Sequence, residues 1–353
     1  MGSTVGLATY VVSRGLSMLA VFIVSVALFF ILLRVVPIVL FGGNPFEPNQ
    51  LQDPVLAALR RSQEDPRFGG WIEQTAKTFG LHLPVLPHQF LIYLKNVFTF
   101  DFGISMYSMR PVAQEILIRL PYTLALYVFA VIVPIFVGYY LGILSAKYRG
   151  RFMDTFLTIA SIISFILPSW LIAILVYYFL AYMPKAAWGV TIFPLPVRTP
   201  SLLEPSWESF KYWLWYLSPL YLSFVLALFG SWSYFFRQLI VSELDRDYVY
   251  TARAKGIPEN LVLRKEITPN LKPPIITRLA YTIPGIFGGS IILEILASWP
   301  GVAYYSYQAF LNFDYTVITA FLVIGSMLLV VSLFIADLLI AILDPRVRIG
   351  ERR

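Results

Sequence analysis

The chain has 353 residues, of which 58% are hydrophobic and 13% charged, with a mean hydropathy of +0.72. A soluble domain carries about 25% charged residues, so the long uncharged stretches set the class: an all-α, polytopic membrane protein. The formal charge of +7 is read through its placement along the chain rather than as a mark of nucleic-acid binding. The lack of cysteine excludes disulfides and thiolate metal sites.

Arg14 precedes a charge-free stretch, Gly15 to Leu33, long enough to cross about 30 Å of hydrocarbon. A cleaved signal peptide has an apolar core of only about 7–15 residues, so this first span is expected to be retained. From Val35 to Arg119 the chain changes character. Pro37, Pro45, Pro48, Pro54, Pro66, Pro84 and Pro87 punctuate it and charges of both signs are mixed in. This reads as a long polar excursion on one side of the membrane. Short helices are expected at Val55–Arg61 and Trp71–Phe79, and an amphipathic one at His88–Phe98.

Three more spans are expected at Leu120–Ala146, Thr155–Met183 and Trp213–Phe236. The segment Lys147–Asp154 makes a tight turn between the first two, and Pro184–Lys211 forms a second outward loop. Pro134, Gly138, Gly142, Pro168, Pro219 and Gly230 are expected to interrupt these helices, as membrane helices tolerate when freed backbone groups find other partners. Small residues also let helices approach closely, and packing is the expected reason for each of them.

The next stretch, Asp247 to Pro274, is basic and reads as two short helices. Ala252 and Ala254 lie just before Gly256, which can take the left-handed conformation that stops a helix. Pro258 suits the start of the next one, and Pro269, Pro273 and Pro274 close the segment. Such a hairpin between two spans suggests a docking surface. A fifth span, Ile275–Ser298, and a sixth, Val317–Leu343, complete the set.

Lysine and arginine set the orientation. Lys147, Arg149 and Arg151 share a side with the cations from Arg237 to Arg278 and with Arg346, Arg348, Arg352 and Arg353, whereas the short opposite loop Pro300–Thr316 has none. Both termini and the hairpin are therefore expected on the cytoplasmic side. Two acids, Glu294 and Asp337, fall inside spans without an evident basic partner. No G-x4-GK[ST] loop is present to cradle nucleotide phosphates. The only histidines, His82 and His88, lack metal-ligand spacing. No catalytic, cofactor-binding or metal-binding residue is assigned.

The run TARAKG, Thr251 to Gly256, resembles the EAA-type signature of ABC importer permeases, in the form of the oligopeptide/dipeptide (Opp/Dpp) branch. The segment DFGISMYSMRPVAQEILIRLP from Asp101 to Pro121, Asn270, the run ILEILASWPG around Glu294 and the DPRVR run at Asp344–Arg348 are similar to the same branch. Against the general pattern EAA-x3-G-x9-I-x-L-P, Ala252, Gly256 and Pro269 fit. Tyr250 and Thr251 replace its Glu and Ala, while Glu266 and Thr268 replace its apolar pair.

This resemblance spans nearly the whole chain, and it implies the following. The fold would be that of a type I importer permease with six transmembrane helices. It would form one permease domain, 1–353, with an extracytoplasmic insertion at about 35–119 and a cytoplasmic coupling hairpin at about 242–274. The partners would be a second, similar permease, two ATP-binding subunits that hydrolyse the ATP, and an extracytoplasmic binding protein. Ala252, Arg253, Ala254, Lys255 and Gly256 would couple to the ATPase, with Ala252, Ala254 and Gly256 in its cleft and Arg253, Lys255 and Arg264 at the rim. Glu294 would line the interior or contact the second permease. The substrates implied are di- or oligopeptides, or oligosaccharides, carried across the cell membrane. The competing class is a self-sufficient secondary transporter or channel, which would often show internal repeats; none is visible.

Overall fold

The computed structural model describes residues 7–40, 44, 76–105, 108–196, 206–288 and 291–343. The expected helix at Val55–Arg61, the larger part of the one at Trp71–Phe79, and the Asp344–Arg348 run lie outside these residues. In chain order, α1 is Leu7–Phe30 and continues through a π-helical turn, Ile31–Val35, into Val36–Leu40. Next come α2, Phe90–Thr99, and α3, Val112–Lys147. Helix α4 is Phe152–Ile166, and α5 is Ser169–Val176, prolonged through Tyr177–Tyr182 and Met183–Trp188. The long α6, Trp207–Leu244, leads to α7, Asp247–Ala254. Then follow α8, Lys272–Gly288, α9, Ile291–Leu296, α10, Val302–Leu311, and α11, Tyr315–Leu343.

Among the described residues five helices are long and apolar enough to cross a membrane: Ala8–Leu40, Val112–Lys147, Ser169–Trp188, Phe210–Leu244 and Tyr315–Ile342. The chain is helical and polytopic, as its composition requires. One of the expected spans is not a single helix. Thr155–Met183 is broken at Leu167, whose backbone is extended (φ −73°, ψ 127°). The cause is Pro168, whose ring disfavours a helical conformation at the residue before it. Helices α8, from Ile275 on, and α9 both lie in the expected span Ile275–Ser298, and residues 289–290 between them are outside the described residues.

The other prolines behave differently from expectation. Helix α3 runs through Pro121 and Pro134, and α6 through Pro219. Proline lacks the N–H that would bond the carbonyl four residues back. At Pro219 that carbonyl belongs to Trp215, and the Ser218 hydroxyl donates to it at 2.6 Å. The helix therefore continues because a neighbouring side chain satisfies the freed acceptor.

The chain divides into two compact units, residues 1–120, 302–338 and 348–353, and residues 121–301 and 339–347. In the first, α1 lies beside α2 and the end of α11. Phe30 packs its ring against Phe90 and Tyr93, at 5.3 and 5.1 Å between centroids, and Phe22 meets Phe98 edge-on at 6.0 Å. Arg34 is buried and donates from Nε and Nη2 to the Gln89 side chain at 3.1 and 3.0 Å. Arg14 stands inside α1, not before it, and faces Asp337 of α11 at 3.5 Å. Asp337 thus does have a basic partner, which the sequence concealed by their separation of 323 positions. At the start of α11, Asp314 accepts from the Val317 N–H at 3.4 Å and from the Thr316 and Ser105 hydroxyls at 2.7 and 2.6 Å, so a helix cap also anchors the loop before α3.

In the second unit, α3, α4, α5 and α6 pack side by side. The closest approaches occur at glycines. A Cβ at Gly138 would fall 2.4 Å from the Cβ of Trp232, one at Gly142 2.7 Å from the Cβ of Phe236, and one at Gly230 2.1 Å from the Ser161 carbonyl oxygen. Gly138 and Gly142 are one helical turn apart, like their contacts Trp232 and Phe236, so a small-xxx-small face of α3 receives a ridge of α6. These residues serve packing, as their size suggested.

Gly230→Ala should therefore lower thermal stability in detergent by about 1–3 kcal/mol, the usual cost of overpacking. Gly325→Ala, where nothing lies within 4 Å of an added Cβ, should be neutral or stabilising by up to about 1 kcal/mol, the helix-propensity gain. Equal melting temperatures for the two variants would contradict this packing.

Candidate functional site

Helix α7 begins after Arg246, carries Asp247 in its first turn and Arg253 in its last, and so matches its charges to the helix dipole. Its end is a Schellman closure. The Ile257 N–H donates to the Ala252 carbonyl at 3.3 Å and the Gly256 N–H to the Arg253 carbonyl at 2.9 Å, with Gly256 at φ +76°. Glycine takes this left-handed conformation without the penalty a Cβ would bring. A second helical run follows, Glu259–Leu261, Val262–Ile267 and Thr268–Asn270, with Pro258 just ahead of it in extended conformation. The hairpin of two short helices is thus present.

Side-chain bonds brace it. Arg253 grips Glu259 across the turn with two hydrogen bonds, Nε to Oε2 at 3.1 Å and Nη2 to Oε1 at 2.6 Å. These bonds hold the Glu259 carboxyl below its ordinary value. The stability they add is present above the ordinary Glu value, about 4.3, and lost as pH falls through the depressed folded one. Tyr248 donates to Glu243 of α6 at 2.6 Å, and Arg149 donates to both oxygens of Asp245 at 3.0 and 3.1 Å. Between the turn after α3 and the hairpin lies a hollow of about 240 Å³, bordered by Lys147, Arg149, Asp245, Arg253 and Glu259.

The five signature residues separate into two groups. Ala252 is buried in the chain's own apolar cluster with Ala146, Ile240, Val249, Val262, Ile267 and Leu271. Its side chain is not offered to another protein, which departs from the cleft role expected of it. The reason is the helical period: Val249 and Ala252 are three residues apart and fall on the inner face. Arg253, Ala254, Lys255 and Gly256 are exposed. Arg264 is exposed as well.

Glu294 lies elsewhere in the same unit and is fully buried. Thr123 of α3 donates to its Oε1 at 3.5 Å, and a Cβ on Gly301 would come within 2.5 Å of its carboxylate. The chain returns over it through Trp299, whose N–H donates to the Glu294 carbonyl at 2.8 Å and whose indole Nε1 donates to the Tyr122 carbonyl at 2.7 Å. Tyr216 stacks on Trp299 at 5.8 Å and donates to the Ala297 carbonyl at 2.7 Å. Glu294 therefore lies in the interior of its own chain, with no exposed surface left for contact with a second permease.

One arrangement was missed in the sequence. Asp154, at the start of α4, accepts two hydrogen bonds from Arg237 of α6, at 2.6 and 2.8 Å. Ser145 and the Gly150 N–H add bonds at 2.6 and 3.0 Å. An acid opening an apolar helix directly after a glycine turn was the available signal.

The braced hairpin, with an exposed knuckle between helices of a polytopic unit, is the geometry against which the known proteins can be compared. Residues 138–349 match the family described as "Binding-protein-dependent transport system inner membrane component". The chain belongs to this family. It is 30% identical to the oligopeptide transport system permease protein AppB of Bacillus subtilis, over 97% of this chain and 99% of that protein. It is 28% identical to the dipeptide transport system permease protein DppB of Lactococcus lactis, over 96% and 99%, and 28% identical to the glutathione transport system permease protein GsiC of Pectobacterium atrosepticum, over 96% and 98%. This permease is a multi-pass component of the cell membrane. It is not itself an enzyme, since ATP hydrolysis in such systems belongs to separate subunits.

The burial of Ala252 has a measurable consequence for the isolated permease. Ala252→Trp should lower its thermal stability by at least about 1–3 kcal/mol through overpacking, whereas Ala254→Trp on the exposed side should stay within about 0.5 kcal/mol. Unfolding curves of the two purified variants in detergent would check this, and a stable Ala252→Trp would show that α7 is packed otherwise.

Proposed function

We propose that this permease is one half of the membrane channel of an ATP-driven importer of di- and oligopeptides. It forms a single permease domain over residues 1–353 with six membrane crossings, of which the segment holding α8 and α9 supplies the fifth. A second homologous permease completes the translocation path. Two ATP-binding subunits dock from the cytoplasm and an extracytoplasmic binding protein delivers the substrate to the other side. Peptides are favoured because the relatives that match nearly the full chain are named for oligopeptide, dipeptide and glutathione transport.

The observation that carries the coupling role is the knuckle from Arg253 to Gly256. It is exposed, yet fixed by the Schellman closure and by the grip of Arg253 on Glu259. A fixed, small-residue knuckle can transmit a rigid push, which a mobile loop cannot. The helical run after it is anchored in the same cluster as the ends of α3 and α6. Displacement of the knuckle by nucleotide-driven closure of the ATPases would then bias the permease between two packings, each with its own contacts.

Ala254→Trp should leave the permease folded but abolish substrate-stimulated ATP hydrolysis in the reconstituted complex. Arg253→Gln, which removes an exposed ion pair worth about 0–1 kcal/mol, should reduce it far less. Co-purification of the ATPases and stimulated hydrolysis are the readouts; normal values of both in Ala254→Trp would refute the coupling role.

Orientation follows from the cation asymmetry. Both termini and the hairpin face the cytoplasm, and the insertion at 35–119 lies outside. A protease site inserted after Asn49 should be cut in intact cells, and one after Arg353 only in inverted vesicles. The opposite pattern would reverse the topology.

A further inference from the structure

Three helical arginines of this permease face acids: Arg14 meets Asp337, Arg119 meets Glu115 and Arg237 meets Asp154. Arg278 does not. It lies six residues into α8, about 9 Å along its axis from Lys272 at the usual helical rise, and no carboxylate reaches it among the described residues. Its guanidinium rests over the rings of Trp232 and Phe235, at 4.4 and 4.2 Å from their centroids. Its Nη2 donates to the Ser231 carbonyl at 3.1 Å and to the Ser231 hydroxyl. Both hydrogen bonds leave from Nη2, so Nε and Nη1 keep donors for an acceptor that none of the described residues supplies.

Two features point to what that acceptor is. Aromatic faces and neutral oxygens hold the cation in place without cancelling its charge, so the site keeps a positive field that a low-dielectric surrounding strengthens. Tyr281, three residues on and so on the same face of α8, is 60% exposed, and the neighbouring Thr277 is exposed as well. A polar face with an uncompensated guanidinium suits a water-filled path better than lipid. The fork of an arginine matches the two oxygens of a carboxylate.

We propose that Arg278 receives the C-terminal carboxylate of a peptide in transit and thereby favours substrates with a free C-terminus. This rests on the peptide-importer reading above. It assigns the permease a share of the selectivity in addition to that of the binding protein. The rings of Trp232 and Phe235 act as positioning groups that keep the guanidinium aimed at the path.

The test uses the complete importer with its binding protein in vesicles. ATP-driven uptake of one peptide is compared in its free-acid and C-terminally amidated forms, for wild type, Arg278→Gln and Arg278→Lys. The binding protein is the same in every arm, so its own preference cancels in the ratio of variant to wild type. Wild type should carry the acid about tenfold faster than the amide, after correction for binding-protein affinity. Arg278→Gln should bring the acid down to the amide rate and leave amide uptake unchanged, and Arg278→Lys should fall between.

Equal corrected rates for the two forms in wild type would overturn the proposal without recourse to any variant. An equal fall of both forms in a folded Arg278→Gln complex would reduce Arg278 to a packing role and overturn it too. A loss in that variant restored by anionic lipid for both forms alike would assign the guanidinium to a lipid phosphate, again overturning it. If wild type carries neither form while ATP still drives uptake of another solute, the peptide reading itself fails and this inference falls with it.

Discussion

The bidentate pair of Asp154 with Arg237 is the constraint on which the end of the larger unit next to the hairpin depends. Three chain segments meet in it: the end of α3 through Ser145, the turn through the Gly150 N–H, and α6 through the guanidinium. Asp154 is buried, so the pair is costly to break: removing one member of a buried pair leaves a desolvated charge, at about 3–5 kcal/mol. Close above it, Gly142 lets α3 approach Phe236 of α6. An exact electrostatic fit and a steric one thus fix the same two helices within one turn of each other. Neither would hold the register alone, since ion pairs tolerate sliding of long side chains and small-residue faces tolerate a shift of one turn.

What leaves this fixed point is the hairpin of α7 and the helical run after it. The end of α6 passes into it through Tyr248 and Glu243, and Arg149 ties the turn after α3 to Asp245. The apolar cluster that includes Ala146, Ile240, Ala252 and Leu271 fills the space between. A force applied at the knuckle therefore reaches α3, α6 and the start of α8 through packed side chains and hydrogen bonds. At the other end of the same unit, Glu294, Trp299 and Tyr216 close the chain over α9 with bonds from indole and phenol to backbone carbonyls. The Glu294 carboxylate sits where only glycine fits at position 301. Its sequence signal, an acid in an apolar run before WPG, is thus the signal of a close backbone crossing.

The class of fold was legible in composition, because no soluble chain tolerates such long uncharged runs. Most spans were legible in hydropathy, and the hairpin in its glycine and prolines. The illegible parts have physical causes. Pro168 broke a span whereas Pro134 and Pro219 did not, and at Pro219 the freed carbonyl is taken up by the Ser218 hydroxyl, whose direction no hydropathy profile contains. Arg14 and Asp337 pair across 323 positions, and partners so distant leave no local pattern. The identity of the signature at Thr251–Gly256 was readable, but which of its side chains point outward required the helical phase of α7.

That phase changes how the signature is understood. Small residues at 252, 254 and 256 suggested one purpose, room for another protein. The structure gives them three. Ala252 is small because it fits between Val249 and Ile267 inside its own chain, Gly256 because the Schellman turn takes φ to +76°, and Ala254 alone because the outer surface there is bare. A docking surface made of a single small side chain and a glycine turn has little area of its own. Its grip must come from shape and from the charges beside it, Arg253 and Lys255, of which Arg253 is already engaged by Glu259. Lys255 is then the cation with most freedom to answer an acidic partner. The hairpin thus combines a rigid steric knuckle with one adaptable charge.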